Sequence, residues 1–245
     1  IYFVAADDVI GTMADQALAS ARRSIVLPDD ADIAKVAAAM NPAMSSWVAL
    51  RRRVPIEPGQ SVLVLGATGN AGAMAVQVAR RLGAGRVVGA GRDPGRLDAL
   101  TSAGADDVVQ LTGDDDATAG ALAAAAAESD IVLDYVWGQP AQHAIMALLT
   151  ARSDRSREMN WIQIGSVAGP TMELPSVALR SANFRVQGSG QGSVSGQAYL
   201  AELPSLVAEI TAGTIAVKAT MMPLADVEQV WSRAEVPGER TVLVP

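Results

Sequence analysis

A glycine-rich loop between a strand and a helix is the feature that most restricts how this chain folds. Ser61–Leu65 is apolar after its first residue, which is typical of a strand buried on both faces of a parallel sheet. Gly66, Gly69 and Gly72 follow at once, and residues 71–82 have the composition of a helix. This order predicts a Rossmann loop, because the three glycines permit a tight turn, close approach of a pyrophosphate and close helix–strand packing.

The start of this helix supplies the groups that hold phosphates. The N–H groups of Asn70 and Ala71 have no partner within a helix, and the positive end of the helix dipole lies at the same place. We therefore expect the loop to bind the pyrophosphate of a dinucleotide through Gly66, Thr68, Gly69, Asn70, Ala71 and Gly72.

Strand and helix patterns alternate from residue 61 to residue 212, with glycine and proline between them. Alternation with short connections predicts right-handed βαβ crossovers and an α/β fold with a doubly wound parallel sheet. Besides the first strand and helix, the predicted strands are 86–90, 108–111, 131–135, 161–164 and 184–187, and the predicted helices are 95–103, 117–127 and 140–149.

The two flanks depart from this alternation, and each contains too few strands to form a core alone. We expect them to pack together as one domain that the Rossmann unit interrupts in sequence. The predicted boundaries are 1–55 for the first part, 56–190 for the Rossmann domain and 191–245 for the returning segment. Within the flanks we predict strands at 1–5, 17–20, 24–27 and 241–244, and helices at 32–53, 199–212 and 224–234.

The end of the second strand indicates which dinucleotide binds. Gly91 and Arg92 stand where an NAD-binding domain usually has an acidic residue for the ribose 2′-hydroxyl. Glycine leaves room for a 2′-phosphate, and the guanidinium of Arg92 can pair with that phosphate. Arg96 adds a second candidate cation one helical turn further, while Asp93 is placed to cap the next helix. We therefore predict NADPH as the cofactor.

The composition restricts the kinds of partner that this protein is expected to bind. The net charge is −7 without a basic tract, which argues against a nucleic-acid or anionic-membrane partner, and we interpret arginines 51–53 and 80–81 as solvated helix faces. No apolar run reaches the roughly twenty residues of a membrane span. We expect a cytoplasmic enzyme with a small-molecule substrate. Because the chain begins without methionine on a strand-like stretch, we also expect further residues to precede Ile1 in the natural protein.

Residues 58–72, followed after a helix by Gly104-Ala105-Asp106, resemble the quinone oxidoreductase branch of the medium-chain dehydrogenase/reductase superfamily. Residues 11–16 resemble its Gly-x-aromatic-Ala-Glu segment, with Met13 at the aromatic position. The resemblance covers essentially the whole chain. It implies zinc-independent hydride transfer from NADPH to a quinone or α,β-unsaturated carbonyl. It also implies a GroES-like catalytic domain, split in sequence and incomplete here, and a homodimer formed through the nucleotide-binding domains.

The resemblance further implies which residues surround the nicotinamide ring. Residues 40–46 fall where the family places side chains under the ring. Some relatives have threonine at the position of Met44, so Ser45 is the candidate substitute for its hydroxyl. The strand ends and loops beside the ring contribute Gly165, Ser166, Gly188 and Ser189.

Two other classes of dehydrogenase have sequence motifs that can be compared with this chain. A short-chain dehydrogenase needs a tyrosine with a lysine four residues later, and none of Tyr2, Tyr135 and Tyr199 has one. The sequence has no cysteine and one histidine, so these residues cannot assemble a catalytic zinc site. Two alternatives stay open: a non-catalytic NADPH-binding or regulatory protein, and a zinc-type alcohol dehydrogenase whose ligands lie outside this sequence.

Candidates for direct chemistry are few, and no residue is assigned as a general acid. His143 follows a glutamine-rich helix start, and we predict a surface helix residue rather than a ligand or base. Tyr135 and Trp137 lie where a central strand ends, and there they either contact cofactor or substrate or close the edge of the sheet. The loop 188–193 is either a lid over the ring or a linker.

Overall fold

The computed structural model describes residues 1–5, 11–233 and 238–245 and divides the chain into two compact units. One unit is Ser45–Ser193, and the other combines Ile1–Met44 with Val194–Pro245. The second unit is thus split in sequence by the first, whereas the predicted domain boundaries themselves stay predictions. Among the helices of the described residues, none is both long enough and apolar enough to cross a membrane.

The unit Ser45–Ser193 is built on a six-stranded sheet in the order β5-β4-β3-β6-β7-β8. All its strand pairs are parallel, and the strand order changes direction between β3 and β6. This confirms the predicted α/β class with a doubly wound parallel sheet. The strands are β3 (Ser61–Leu65), β4 (Arg86–Gly91), β5 (Asp107–Gln110), β6 (Ile131–Asp134), β7 (Met159–Gln163) and β8 (Phe184–Gly188).

Helices alternate with these strands and cover the sheet. Gly83 takes a φ of +101° just after the first crossover helix, which confirms its predicted place in the C-terminal cap. Asp93 caps the next helix by accepting the N–H of Arg96 at 3.1 Å, also as predicted. The helices are α2 (Asn70–Arg81), α3 (Pro94–Ser102), α4 (Asp115–Ala126), α5 (Gly138–Ala151) and α6 (Ser176–Arg180).

The register of the sheet aligns the strand ends on which the site is built. Leu65 lies opposite Ala90 on one side and Asp134 on the other. Asp134 in turn lies opposite Gln163, and Gln163 opposite Gly188. The loops that follow β3, β4, β6, β7 and β8 therefore emerge side by side at one edge, which we call the carboxyl edge. Ligands of open α/β sheets bind at this edge, beside the point where the strand order reverses.

One face of the sheet shares a continuous apolar core with α4 and α5. Trp161 is fully buried and packs edge-to-face on Phe184, with ring centroids 6.3 Å apart. Burial of such side chains is the main favourable term that holds the helices on the sheet. The core also contains Leu63, Leu65, Val132, Leu122, Ile145 and Leu148.

The second unit contains two two-stranded sheets together with helices. β1 (Tyr2–Phe3) pairs antiparallel with β2 (Ser24–Ile25), and β9 (Lys218–Pro223) pairs parallel with β10 (Glu239–Val244). α7 (Gly196–Thr211) begins at Ser195, whose side chain accepts the N–H of Ala198, and α8 spans Val227–Trp231. α1 (Ile33–Val48) begins in this unit, and its last residues and the π-helical turn that continues it, Ala49–Arg53, belong to the unit Ser45–Ser193.

The flanks account for most differences from the predicted elements. Residues 17–20, predicted as a strand, are exposed and irregular, because no described segment pairs with them. The sequence patterns miss α6 and β9; β9 ends in proline and depends on β10, distant in sequence, for its pairing. Ala234, the predicted end of the last helix, lies outside the described residues.

Candidate dinucleotide-binding site

The glycine loop has the geometry that its sequence predicts. Gly66 takes a φ of +87°, a conformation that favours glycine, and turns the chain at the end of β3. A Cβ on Gly72 would overlap the carbonyl oxygen of Gly66 and lie 2.7 Å from the Cα of Ala67. Both are backbone atoms that cannot move aside, so Gly72 is required for the close approach of helix α2 to the loop.

Gly69 differs from Gly72 because the space beside it is free. A Cβ on Gly69 would have a single neighbour within 4 Å outside its chain neighbours, the Gly66 oxygen at 3.3 Å. Gly69 is exposed and directly precedes α2. The first N–H groups of that helix, from Asn70 and Ala71 onwards, therefore lie at an accessible position that suits an anion. The loop fits a pyrophosphate, and the contacts of its residues with one stay predictions.

Gly91 has a packing role that the sequence analysis missed. It ends β4 and is buried, and a Cβ on it would lie 2.6 Å from Thr68 Oγ1 and 2.9 Å from Thr68 Cβ. The absence of a side chain at Gly91 thus makes room for the Thr68 side chain, whereas room for a 2′-phosphate stays a prediction. Gly91 and Thr68 join the end of β4 to the glycine loop, and their predicted contacts with the cofactor stay predictions.

The two arginines after β4 differ in their partners. Arg92 is exposed, and no described residue forms a hydrogen bond or ion pair with its guanidinium. Arg96 donates to Asn70 Oδ1 at 3.1 Å and thereby joins the start of α3 to the start of α2. The structure thus joins Arg96 to the start of α2, next to the glycine loop. The guanidinium of Arg92, four positions earlier in sequence, has no partner among the described residues.

Ser45 lies beside the end of β6, a contact that was not predicted. Its Oγ is 2.9 Å from the hydroxyl oxygen of Tyr135, the residue that follows β6. Burial raises the pKa of Tyr135 to about 12, although hydrogen bonds with Ser45 and Ser46 act in the opposite direction. Tyr135 is therefore a neutral hydroxyl throughout the physiological pH range, and its ring is part of the buried structure at this edge.

The segments after β7 and β8 are joined to each other by Gln163. Its Nε2 donates to the carbonyl of Gly165 at 3.0 Å, and its carbonyl accepts the N–H of Ser189 at 2.8 Å. Ser189 is buried, while Ser166 and Gly188 are exposed. The four residues expected beside the nicotinamide thus lie at or just after the ends of the neighbouring strands β7 and β8, and their contact with the ring stays a prediction.

Arg53 holds the loop after β8, a function that the sequence did not reveal. Its Nε donates to the carbonyl of Gly188 at 2.9 Å and its Nη1 to the carbonyl of Ser193 at 3.1 Å. Of its neighbours, Arg51 stacks over the ring of Trp47, 5.1 Å from the centroid. Arg51 is exposed, in agreement with the interpretation of this arginine group as a solvated face, but that interpretation is wrong for Arg53, whose guanidinium bonds to two backbone carbonyls.

A zinc site does not fit the described residues. Among residues 1–5, 11–233 and 238–245 no group of three histidine, aspartate, glutamate or cysteine side chains could hold a metal ion. The single histidine, His143, is partly exposed on α5, with its Nδ1 3.3 Å from a carboxylate oxygen of Asp115. This position agrees with the prediction that His143 is a surface residue of a helix.

A parallel sheet with a glycine loop at the reversal of strand order defines a Rossmann-type dinucleotide-binding domain. The model of one protein family, zinc-binding dehydrogenase, matches residues 71–209. This match covers more than half of the chain, so the chain belongs to the zinc-binding dehydrogenase family.

Known proteins resemble the chain over most of its length. A protein of Emericella nidulans named as a probable NADPH-dependent quinone reductase, tdiC, is 35% identical over 223 residues. The match includes 86% of this chain and 61% of that protein, so the chain spans less than two thirds of this relative.

Two solved structures share the fold. A mycobacterial quinone oxidoreductase has a TM-score of 0.76 at 22% identity, over 93% of this chain and 69% of its own. The quinone oxidoreductase of Escherichia coli, solved with NADPH, has a TM-score of 0.73 at 22% identity, over 92% and 69% respectively. Both confirm the fold class predicted from the sequence.

Proposed function

We propose that this chain is the cofactor-binding part of an NADPH-dependent oxidoreductase that reduces quinones or α,β-unsaturated carbonyl compounds without zinc. The observation that carries the proposal is the carboxyl edge of the sheet. There a glycine loop with accessible helix N–H groups lies beside two arginines, one of them without a partner among the described residues. The names of the relative from Emericella nidulans and of the Escherichia coli complex support the same cofactor.

Each part of the edge has a distinct role in the proposal. The N–H groups at the start of α2 bind the pyrophosphate, and Arg92 pairs with the 2′-phosphate, assisted by Arg96. Ser45, Gly165, Ser166, Gly188 and Ser189 orient the nicotinamide. The bound cofactor supplies a hydride, and the substrate is thereby reduced while the cofactor is oxidised.

The zinc-free reaction and the dimer are parts of the same proposal. No described cluster offers a zinc ligand set, and the sequence has no cysteine. Strand β8 is at one end of the sheet, so its outer side is available to pair with a second copy. Metal analysis of the purified protein and sedimentation at several concentrations test these two points, and bound stoichiometric zinc or a monomer at all concentrations contradicts them.

The cofactor assignment is tested by binding. We expect NADPH to quench tryptophan fluorescence with a dissociation constant about tenfold or more below that of NADH, since a charge-assisted pair with the 2′-phosphate favours NADPH. Arg92→Gln should weaken NADPH binding about tenfold and leave NADH binding unchanged. Arg180→Gln is the matched control, because Arg180 is likewise exposed and without a described partner.

Two results separate the alternatives. Equal affinity of the unaltered protein for NADPH and NADH contradicts the assignment of Arg92. The loss of NADPH absorbance, measured with a panel of quinones and enones, tests catalysis. Tight NADPH binding without oxidation by any member of the panel supports the non-catalytic alternative.

A further inference from the structure

A buried carboxylate at the carboxyl edge has no assigned function. Asp134 is the last residue of β6, between the glycine loop and the turn that contains Gly165, and its relative exposure is 0%. No arginine, lysine or histidine of the described residues forms an ion pair with it. A carboxylate buried without a cation is costly, and it persists where hydrogen bonds stabilise it and the fold depends on it.

Asp134 receives three N–H groups from two segments. Its Oδ1 accepts the backbone N–H of Val136 at 2.8 Å and that of Trp137 at 2.9 Å. Its Oδ2 accepts the indole N–H of Trp161 at 2.9 Å, from the neighbouring strand β7. Both oxygens thus act as acceptors, which fits an ionised carboxylate and leaves neither carboxylate oxygen without a donor.

The turn that this carboxylate holds is strained. Trp137 has φ +53° and ψ −163°, and it is the single non-glycine residue with positive φ among the described residues. This region of backbone conformation is essentially restricted to glycine and costs on the order of 1–3 kcal/mol for other residues. Gly138 follows with φ +62°, and a Cβ on it would lie 3.0 Å from the carbonyl oxygen of Ala168.

The strained turn is also joined to the loop after β7. The backbone carbonyl of Asp134 accepts the N–H groups of Ile164 and Gly165, at 2.8 Å and 3.1 Å. The carbonyl of Val136 accepts the N–H of Ala168 at 2.9 Å. A Cβ on Gly165 would lie 2.9 Å from the carbonyl oxygen of Tyr135, so the two segments touch backbone to backbone. A change in the turn after β6 therefore moves Gly165 directly.

We propose that Asp134 is a positioning residue, whose buried carboxylate fixes the strained turn 134–138 and through it the nicotinamide-side loop that begins at Gly165. The inference rests on the proposed function for the identity of the ligand. The geometry of the turn is independent of that ligand. Trp161 takes part because its indole N–H occupies the second oxygen and fixes the rotation of the carboxylate.

Asp134→Asn tests the proposal, because an amide has one acceptor oxygen where the site presents donors on both sides. Either the turn N–H groups or the indole N–H of Trp161 then faces the amide NH2 group. We expect NADPH binding to weaken about tenfold. The double variant D134N/W161F removes the indole N–H that would face the amide. Its NADPH affinity should therefore be within about threefold of that of the single variant W161F.

Selective 15N labelling of tryptophan supplies a readout without any cofactor. It reports the indole N–H of Trp161 and the backbone N–H of Trp137, both of which donate to Asp134. D134N should shift both resonances, and D134N/W161F should restore that of Trp137. Asp130→Asn is the matched control, because Asp130 is buried, accepts the N–H of Ser61 at 2.8 Å and lies at the opposite edge. It should lower the Tm and leave both resonances and the NADPH affinity unchanged.

The outcomes are separable. The proposal is wrong if D134N binds NADPH as tightly as the unaltered protein. It is also wrong if adding W161F to D134N does not restore the NADPH affinity. If the unaltered protein does not bind NADPH, the proposed function fails, and the Trp137 resonance still decides whether Asp134 holds the turn. If D134N does not fold, its effect on NADPH affinity is measured in a Trp137→Gly background, because glycine relieves the strain of the turn. Failure of D134N to fold in that background as well overturns the proposal.

Discussion

The two edges of the Rossmann sheet use aspartates in different ways. At the amino edge, where the strands begin, Asp106 accepts the N–H of Val87 at 2.7 Å and pairs with Arg80. Asp130 accepts the N–H of Ser61 and pairs with Arg157. At the carboxyl edge, Asp134 accepts two backbone N–H groups as well, but no described residue supplies a cation.

The difference appears in how readily the carboxyls ionise. Burial acts to raise the pKa of Asp106, but the Val87 N–H and the Arg80 guanidinium outweigh it, and its pKa is lowered. Burial likewise acts on Asp134, and its hydrogen bonds do not compensate, so its pKa is raised. The amino edge thus neutralises its charges within the fold. The carboxyl edge keeps a strained turn and the guanidinium of Arg92, which has no partner among the described residues, and this is the arrangement expected where a ligand completes the structure.

Gly72→Ala should have the largest effect and acts on the carboxyl edge. The added Cβ would overlap backbone atoms of Gly66 and Ala67, so helix α2 must move away from the loop. We expect a loss of about 1–3 kcal/mol in the free energy of unfolding and of tenfold or more in NADPH affinity. Urea denaturation and fluorescence titration measure the two quantities.

Gly120→Ala is the control for that substitution. Gly120 lies exposed in α4, with nothing within 4 Å of an added Cβ. Alanine should stabilise the helix by about 0.5–1 kcal/mol and leave NADPH binding unchanged. Unchanged binding in the Gly72 variant would mean that the close approach of helix and loop does not matter for the cofactor.

Gly91→Ala should have the second largest effect, through the Thr68 side chain. Its Cβ would lie 2.6 Å from Thr68 Oγ1, so we expect a loss of about 1–2 kcal/mol in stability and weaker NADPH binding. Thr68→Ala removes the Oγ1 and Cγ2 atoms, and the double variant should recover most of the lost stability. Additive losses in the double variant contradict the packing role of Gly91.

The fold was predictable where local pattern determines structure. The apolar run before Gly66 and the glycine caps set strand, turn and helix through interactions within a few residues. The parallel sheet then follows, because short crossovers permit few other topologies. Strand β9 was not predictable in this way, because its residues pair with residues of β10 that lie 21 positions later in sequence.

The site was predictable only in part, because several of its contacts join distant segments. Glycines 66, 69 and 72 follow a local motif, but Arg53 reaches Gly188 across 135 positions. Asp134 offered a weak signal, as the one charged residue that ends an apolar buried strand. Its partner Trp161 could not be inferred without the register of β6 and β7.

Asp106→Asn tests the amino edge through pH and should have a smaller effect. Because the pKa of Asp106 is lowered in the folded protein, its stabilising effect is present above the unfolded value of 3.8 and is lost as pH falls through the folded value. The stability difference from the unaltered protein should therefore shrink between pH 7 and pH 3, as measured by urea denaturation. Asp98→Asn, on the exposed face of α3, is the control at pH 7, where it should change the stability less than Asp106→Asn does.

Arg86→Gln should have the smallest effect, and it separates a local charge from a general one. Arg86 begins the strand that Gly91 ends; five steps of about 3.3 Å place their Cα atoms about 17 Å apart. Its exposed pair with Asp107, at 3.3 Å, should contribute about 0–1 kcal/mol and less at high salt.

Comparing Arg86→Gln with Arg92→Gln tests whether Arg92 pairs directly with the 2′-phosphate. Each substitution removes one positive charge, Arg86 from the start of β4 and Arg92 from the position after its end. At physiological ionic strength the Debye length is about 8 Å, so the charge of Arg86 should not reach the 2′-phosphate. NADPH affinity should therefore be unchanged in R86Q. If R86Q weakens NADPH binding as much as R92Q does, the preference for NADPH comes from the overall field of the unit rather than from a direct pair with Arg92.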